Sequence, residues 1–113
     1  MELLRDLIFE VARETEGVGA IEEALRWGEP SYLTTASKSG STIRINFKET
    51  DRGVQFFLFF NCKTKLVATF KERFGRILTF GGNRSIILND FEVFPFKELR
   101  ECIALALTYN QWK

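Results

Sequence analysis

The chain has 113 residues, 45% apolar and 27% charged, with a formal net charge of +1. That is the size and composition of one globular domain able to bury a core of its own, and the near-neutral balance argues against nucleic acid as a partner. The sequence contains no histidine, which excludes Ser-His and Cys-His nucleophile pairs and histidine-ligated metals.

Two cysteines, Cys62 and Cys102, stand far apart in apolar surroundings. Without C-x-x-C spacing they form neither a zinc nor a dithiol redox motif, and reduced thiols in a cytoplasmic protein are expected. No apolar run approaches the length of a membrane span. Met1 leads straight into an amphipathic pattern, so no signal peptide is expected. Charge is unevenly spread: acids dominate residues 1–30, whereas Lys63, Lys65, Lys71, Arg73 and Arg76 face Glu72 alone.

Leu3, Leu4, Leu7, Ile8, Val11 and Ala12 recur at helical spacing and predict a helix over about residues 2–14. Gly17 and Gly19 break it. Ile21, Ala24 and Leu25 suggest a second, shorter helix ending near Trp27-Gly28, beyond which Pro30 forbids helix. A strand over Ser31–Thr35 and a polar loop at residues 37–41 follow. Ile43, Ile45 and Phe47 alternate with Arg44, Asn46 and Lys48, the signature of a half-buried strand. Asp51-Arg52-Gly53 makes a turn, and the nearly continuous apolar run Val54–Phe60 reads as a central strand covered on both faces.

Asn61 is placed to cap a helix carrying Leu66, Val67, Phe70 and Phe74 on one side and ended by Gly75. Ile77–Phe80 and Ser85–Leu88 flank Gly81-Gly82-Asn83, a second hairpin signal. Pro95 precedes a last helix with Leu99, Cys102, Ile103 and Ala106 on its stripe. The expected class is α+β: a largely antiparallel sheet of about five strands packed by helices, in the order α-α-β-β-β-α-β-β-α, all within one domain spanning residues 1–113.

Trp27-Gly28-Glu29-Pro30-Ser31-Tyr32 puts two amphipathic aromatics, a carboxylate and two backbone punctuators into a short stretch. Such loops often line pockets; the same residues could equally staple a helix to the sheet. Arg44, Asn46 and Lys48 share one strand face, which could hold an anion or simply be wet. Glu2, Asp6 and Glu10 recur on one helix face, a carboxylate arrangement that could bind Fe(II) or Mg(II) but has Arg5 and Arg13 beside it. Cys62, at the start of a Lys-rich helix, is the best nucleophile candidate, with a gap-filling role as its alternative. Cys102 belongs to the core.

The segment Gly19-Ala20-Ile21-Glu22-Glu23-Ala24-Leu25-Arg26-Trp27-Gly28-Glu29-Pro30-Ser31-Tyr32 resembles the opening motif of the YdhG-like domain family, known mainly from bacteria. The strand Val54–Phe60 and the Phe74-Gly75 helix ending are similar too, so the resemblance runs over nearly the whole chain from Gly19. It implies a compact α+β fold and a cytoplasmic protein. It also implies a link to proteins suggested to act as frataxin-like iron chaperones, and it marks Trp27, Gly28, Pro30 and Tyr32 as a candidate site.

The leading expectation is a non-enzymatic binding module for a small ligand or protein partner, with no cofactor or metal. Trp27 and Tyr32 would stack or pack, Glu29 would accept hydrogen bonds, and Arg44 would pair with an acid. One alternative is a frataxin-like iron-binding chaperone taking Fe(II) on Glu2, Asp6 and Glu10. Another is an enzyme using Cys62 or Glu29. Aromatics near Phe91, Phe94, Phe96, Tyr109 and Trp112 could form a homodimer patch or cover the core.

Overall fold

A computed structural model describes residues 2–113; Met1, on which the expectation about a signal peptide rests, lies outside them. The elements run α1 (Glu2–Glu14), β1 (Glu22–Arg26), β2 (Glu29–Leu33), β3 (Ile43–Thr50), β4 (Gly53–Phe59), α2 (Leu66–Phe74), β5 (Thr79–Gly81), β6 (Ser85–Asn89), α3 (Phe96–Leu107) and α4 (Tyr109–Trp112). The class is α+β. All strands join one antiparallel sheet of six, in the order β1-β2-β3-β4-β6-β5, rather than about five.

The extra strand comes from the segment expected to be a second helix. Glu-Glu-Ala-Leu-Arg favours helix by propensity, but five residues are too few to hold a helix alone. Pairing with β2 supplies the hydrogen bonds instead, in the register Glu22↔Leu33 to Arg26↔Glu29. The edge strand is pinned from the helix side as well. Glu23 accepts hydrogen bonds from Arg5 of α1 (2.7 Å) and from the Tyr32 hydroxyl (2.8 Å). These two donors hold the Glu23 carboxyl below its usual range, and burial followed by the Glu23 contact pushes the Tyr32 phenol up.

Strand alternation divides the sheet into two unlike faces. Tyr32, Ile43, Ile45, Leu58, Phe60, Ile86 and Leu88 point to one side and form a core with Leu4, Leu7, Ile8 and Val11 of α1, Leu66, Val67 and Phe70 of α2, and Leu99, Ile103 and Ala106 of α3. Cys102 sits in this core, and burial pushes its thiol up to about 12. The stripe expected for the last helix is buried throughout, and that of α1 is buried except for Leu3, which faces out at 52% exposure because it flanks the helix face that packs on the sheet. Arg100 clasps α1 to α3 by bonding Glu10 (2.7 Å) and Glu14 (3.2 Å).

The other face carries Arg26, Glu29, Arg44, Asn46, Phe57, Phe59 and Ile87, none of which joins the core cluster. The expectation that the Val54–Phe60 strand is covered on both sides is therefore corrected. It is central, between β3 and β6, but the helices pack on one face, and Phe57 and Phe59 stay half-buried on the other.

Smaller corrections have local causes. Asn61 does not cap α2, which begins at Leu66; its carboxamide oxygen accepts from Lys63 N (2.9 Å), closing an Asx turn. The loop at residues 37–41 is not simply solvated, because it is stitched to the end of α3. The Ser39 hydroxyl donates to Leu107 O (2.7 Å), and Ser41 N donates to Ala106 O (2.8 Å). Gly40 lies so close to the Ala106 and Leu107 carbonyls that a side chain there would meet the backbone. Phe91 and Phe96 are partly exposed, Phe94 packs on the core, and Tyr109 and Trp112 pair edge to face at 5.1 Å. Among the described residues no helix is long and apolar enough to cross a membrane.

Candidate functional site

Arg26 pairs with Glu29, so Trp27 and Gly28 alone make the loop of the β1–β2 hairpin. Both have positive φ, 53° and 75°, which makes it a type I′ turn, the kind whose twist matches that of the strands it joins. Glycine suits its position; a Cβ there would meet nothing, so only the backbone angle calls for it. Tryptophan does not suit a left-handed position, and its side chain is 83% exposed. The turn thus holds up a large aromatic ring that the core does not use.

The ring leans over the open sheet face. The Arg44 guanidinium lies 5.1 Å from the Trp27 ring centre and 5.7 Å from that of Phe59, its cross-strand partner. Both distances are within cation–π range. Arg44 also pairs with Glu29 at 3.1 Å, and Glu29 takes a second hydrogen bond from the Asn46 carboxamide at 2.9 Å. Glu29 is a fixed acceptor, and the Arg44 guanidinium is held between it and two aromatic rings.

Beside this group a cleft of about 380 Å³ opens at the end of strands β3 and β4. Arg26, Trp27, Thr42, Arg44, Asn61, Cys62 and Arg84 line it, together with Phe60. Three arginines from three parts of the chain line it: Arg26 of the β1 hairpin, Arg44 of β3, and Arg84 of the turn before β6. Among the described residues only Arg44 of the three has a carboxylate partner. Such a cleft has the volume of a small-ligand site and an excess of cationic donors suited to carboxylate or phosphate oxygens.

The structure brings Trp27, Glu29 and Arg44 together and sends Tyr32 elsewhere. In β2, Glu29 and Ser31 face the open side while Pro30 and Tyr32 face the helices, and Tyr32 is only 1% exposed. Gly28 serves the turn, and Pro30 lies against the opposite face beside Tyr32 and Ile45. Cys62 is exposed, in the turn before α2 rather than at the helix N-terminus, and lines the cleft. Arg26, Thr42, Asn61 and Arg84 are members that the sequence reading did not single out. Thr42 could have been found by its parity with Arg44; Arg26 and Arg84 meet only through the sheet order.

On α1 the Glu10 carboxylate is engaged by Arg100, which lowers its affinity for protons, and Asp6 lies 3.6 Å from Arg5. Among the described residues no cluster of three or more histidine, cysteine or acidic side chains converges as a metal site would. In comparisons with protein-family models, with curated proteins and with solved structures, the chain matches no family, no relative and no known structure.

Proposed function

We propose that the domain is a non-enzymatic binding module for a small anionic ligand, held in the arginine cleft beside the Trp27 turn. One observation carries this reading: Arg26, Arg44 and Arg84 line one cleft, and among the described residues the first and last have no acid partner. Like charges gathered without counter-charges repel one another, and a bound carboxylate or phosphate relieves that repulsion. Trp27 supports the same reading, since an exposed ring on an unfavourable backbone angle contributes little to packing. The resemblance to the YdhG-like family is part of this proposal and rests on the Trp27–Tyr32 turn.

Cys62 provides the test, because it lines the cleft while Cys102 is buried with its thiol pushed up to about 12. In the native protein a thiol reagent reacts with Cys62 alone. Pyrophosphate is expected to slow that reaction in a saturable way, and Arg26→Gln with Arg84→Gln to abolish the protection. A Cys62 rate indifferent to pyrophosphate at millimolar concentration overturns the proposal.

A second reading, an enzyme using Cys62, is favoured by the exposure of this thiol among cationic groups. The same measurement decides it. A rate no faster than that of a small model thiol removes Cys62 as a nucleophile.

A further inference from the structure

We infer that the ligand is a nucleotide, its phosphate among Arg26, Arg44 and Arg84 and its base lying on the aromatic surface of the open sheet face; this rests on the proposal that the cleft holds an anion. Next to the cleft, on the same sheet face as Arg44, stand two further aromatic rings. Phe59 stands directly opposite Arg44 on the neighbouring strand, and Phe57 follows it at the next outward position. Their rings are nearly parallel and stack on one another, at 15° with centres 5.7 Å apart, forming an apolar strip. It lies outside the core on which the helices pack, and Ile87 extends it on β6 opposite Phe57.

Charge and shape therefore select together. The cationic end suits phosphate oxygens, which two-pronged guanidinium groups bind well. The aromatic end, with Trp27 exposed beside Phe59, suits a planar ring, because any base can stack on an aromatic side chain whatever its hydrogen-bonding edge. Arg44 joins the two ends, with its guanidinium near both the Trp27 and the Phe59 rings. A purely aliphatic anion would leave the strip wet, and a neutral aromatic would leave Arg26 and Arg84 without a counter-charge. A ligand carrying both features, as a nucleotide does, satisfies both. The near-neutral charge of the chain favours a free nucleotide over a residue of a single strand, which shares this chemistry.

Isothermal titration with pyrophosphate, ribose 5-phosphate, the ribonucleoside 5′-diphosphates, thymidine 5′-phosphate and a short single-stranded oligothymidylate tests the inference on the whole chain. Nucleoside diphosphates are expected to bind at least tenfold more tightly than ribose 5-phosphate and pyrophosphate. Phe59→Leu, which keeps apolar bulk but removes the ring, is expected to erase that advantage and to leave the pyrophosphate affinity within twofold. Trp27→Asn, at an exposed position, gives a second variant should Phe59→Leu unfold, and is expected to reduce the same advantage. An oligonucleotide tighter than its own mononucleotide identifies a strand as the source, and equal affinities identify the free nucleotide. Pyrophosphate and nucleotides of equal affinity overturn the inference while leaving the anion site standing. No binding of either overturns both.

Discussion

Trp27→Asn separates what the hairpin turn does for folding from what it does for binding. Trp27 sits at a φ of 53°, where an ordinary L-residue costs roughly 1–2 kcal/mol and asparagine costs much less. Against that gain stands the loss of the Arg44 contact, about 0.5–1 kcal/mol for an exposed cation–π pair. The ring is 83% exposed, so little burial is lost with it. Asparagine followed by glycine is also the preferred pair for a two-residue type I′ loop. The variant is therefore expected to be as stable as the parent or more stable, by up to about 1 kcal/mol. Urea denaturation reads this directly: with a slope of about 2 kcal/mol per molar, a gain of that size moves the midpoint up by roughly 0.5 M. Pyrophosphate affinity is expected to fall. A loss of stability above roughly 1.5 kcal/mol, beyond the whole cation–π contribution, would show that the ring holds the fold together, and the reasoning would fail.

Two further outcomes follow from other parts of the fold. Gly40→Ala is expected to destabilise the domain by about 1–3 kcal/mol or more, because the added methyl meets the Ala106 and Leu107 carbonyls; a melting temperature within about 1 °C of wild type would contradict that packing. Glu23→Gln keeps an acceptor for Tyr32 but removes the charge that faces Arg5. The Glu23 carboxyl is depressed in the folded state, so its contribution is present above the unfolded value of roughly 4.3 and is lost as pH falls through the lower folded value. The stability gap between wild type and the variant is therefore expected to be widest at neutral pH and to close on acidification. A gap that widens below pH ~4 would mean the sign is wrong.

Much of the framework was legible because packing and local pattern agree there. The stripe of α1, the alternation of β3 through Ile43 and Ile45, and the Gly82-Asn83 turn each leave a direct mark on the sequence. Phe47 continues that alternation yet stays half-exposed, because β3 outruns the helices that cover its start. β1 was hidden because Glu22–Arg26 is built from helix formers, and only pairing with β2 makes it a strand. Its turn was hidden because tryptophan is an unusual residue at positive φ, whereas asparagine there would have announced a hairpin. With β2 starting at Glu29, parity alone would have separated Glu29 from Tyr32. Trp27, Glu29 and Arg44 could be grouped from neighbouring segments, but Arg26 and Arg84 could not. They meet because β4 pairs with β6 across the α2 excursion, a long-range choice that no local window contains.

The two ends of the sheet bear on how copies of this chain meet. One border is β1, whose residues Glu22, Glu23 and Arg26 put charges along its exposed backbone; the other is β5, three residues long and ending in Gly81. A charged border and a short one both resist the addition of a further strand. Concentrated protein should therefore not grow into continuous ribbons by adding strand to strand.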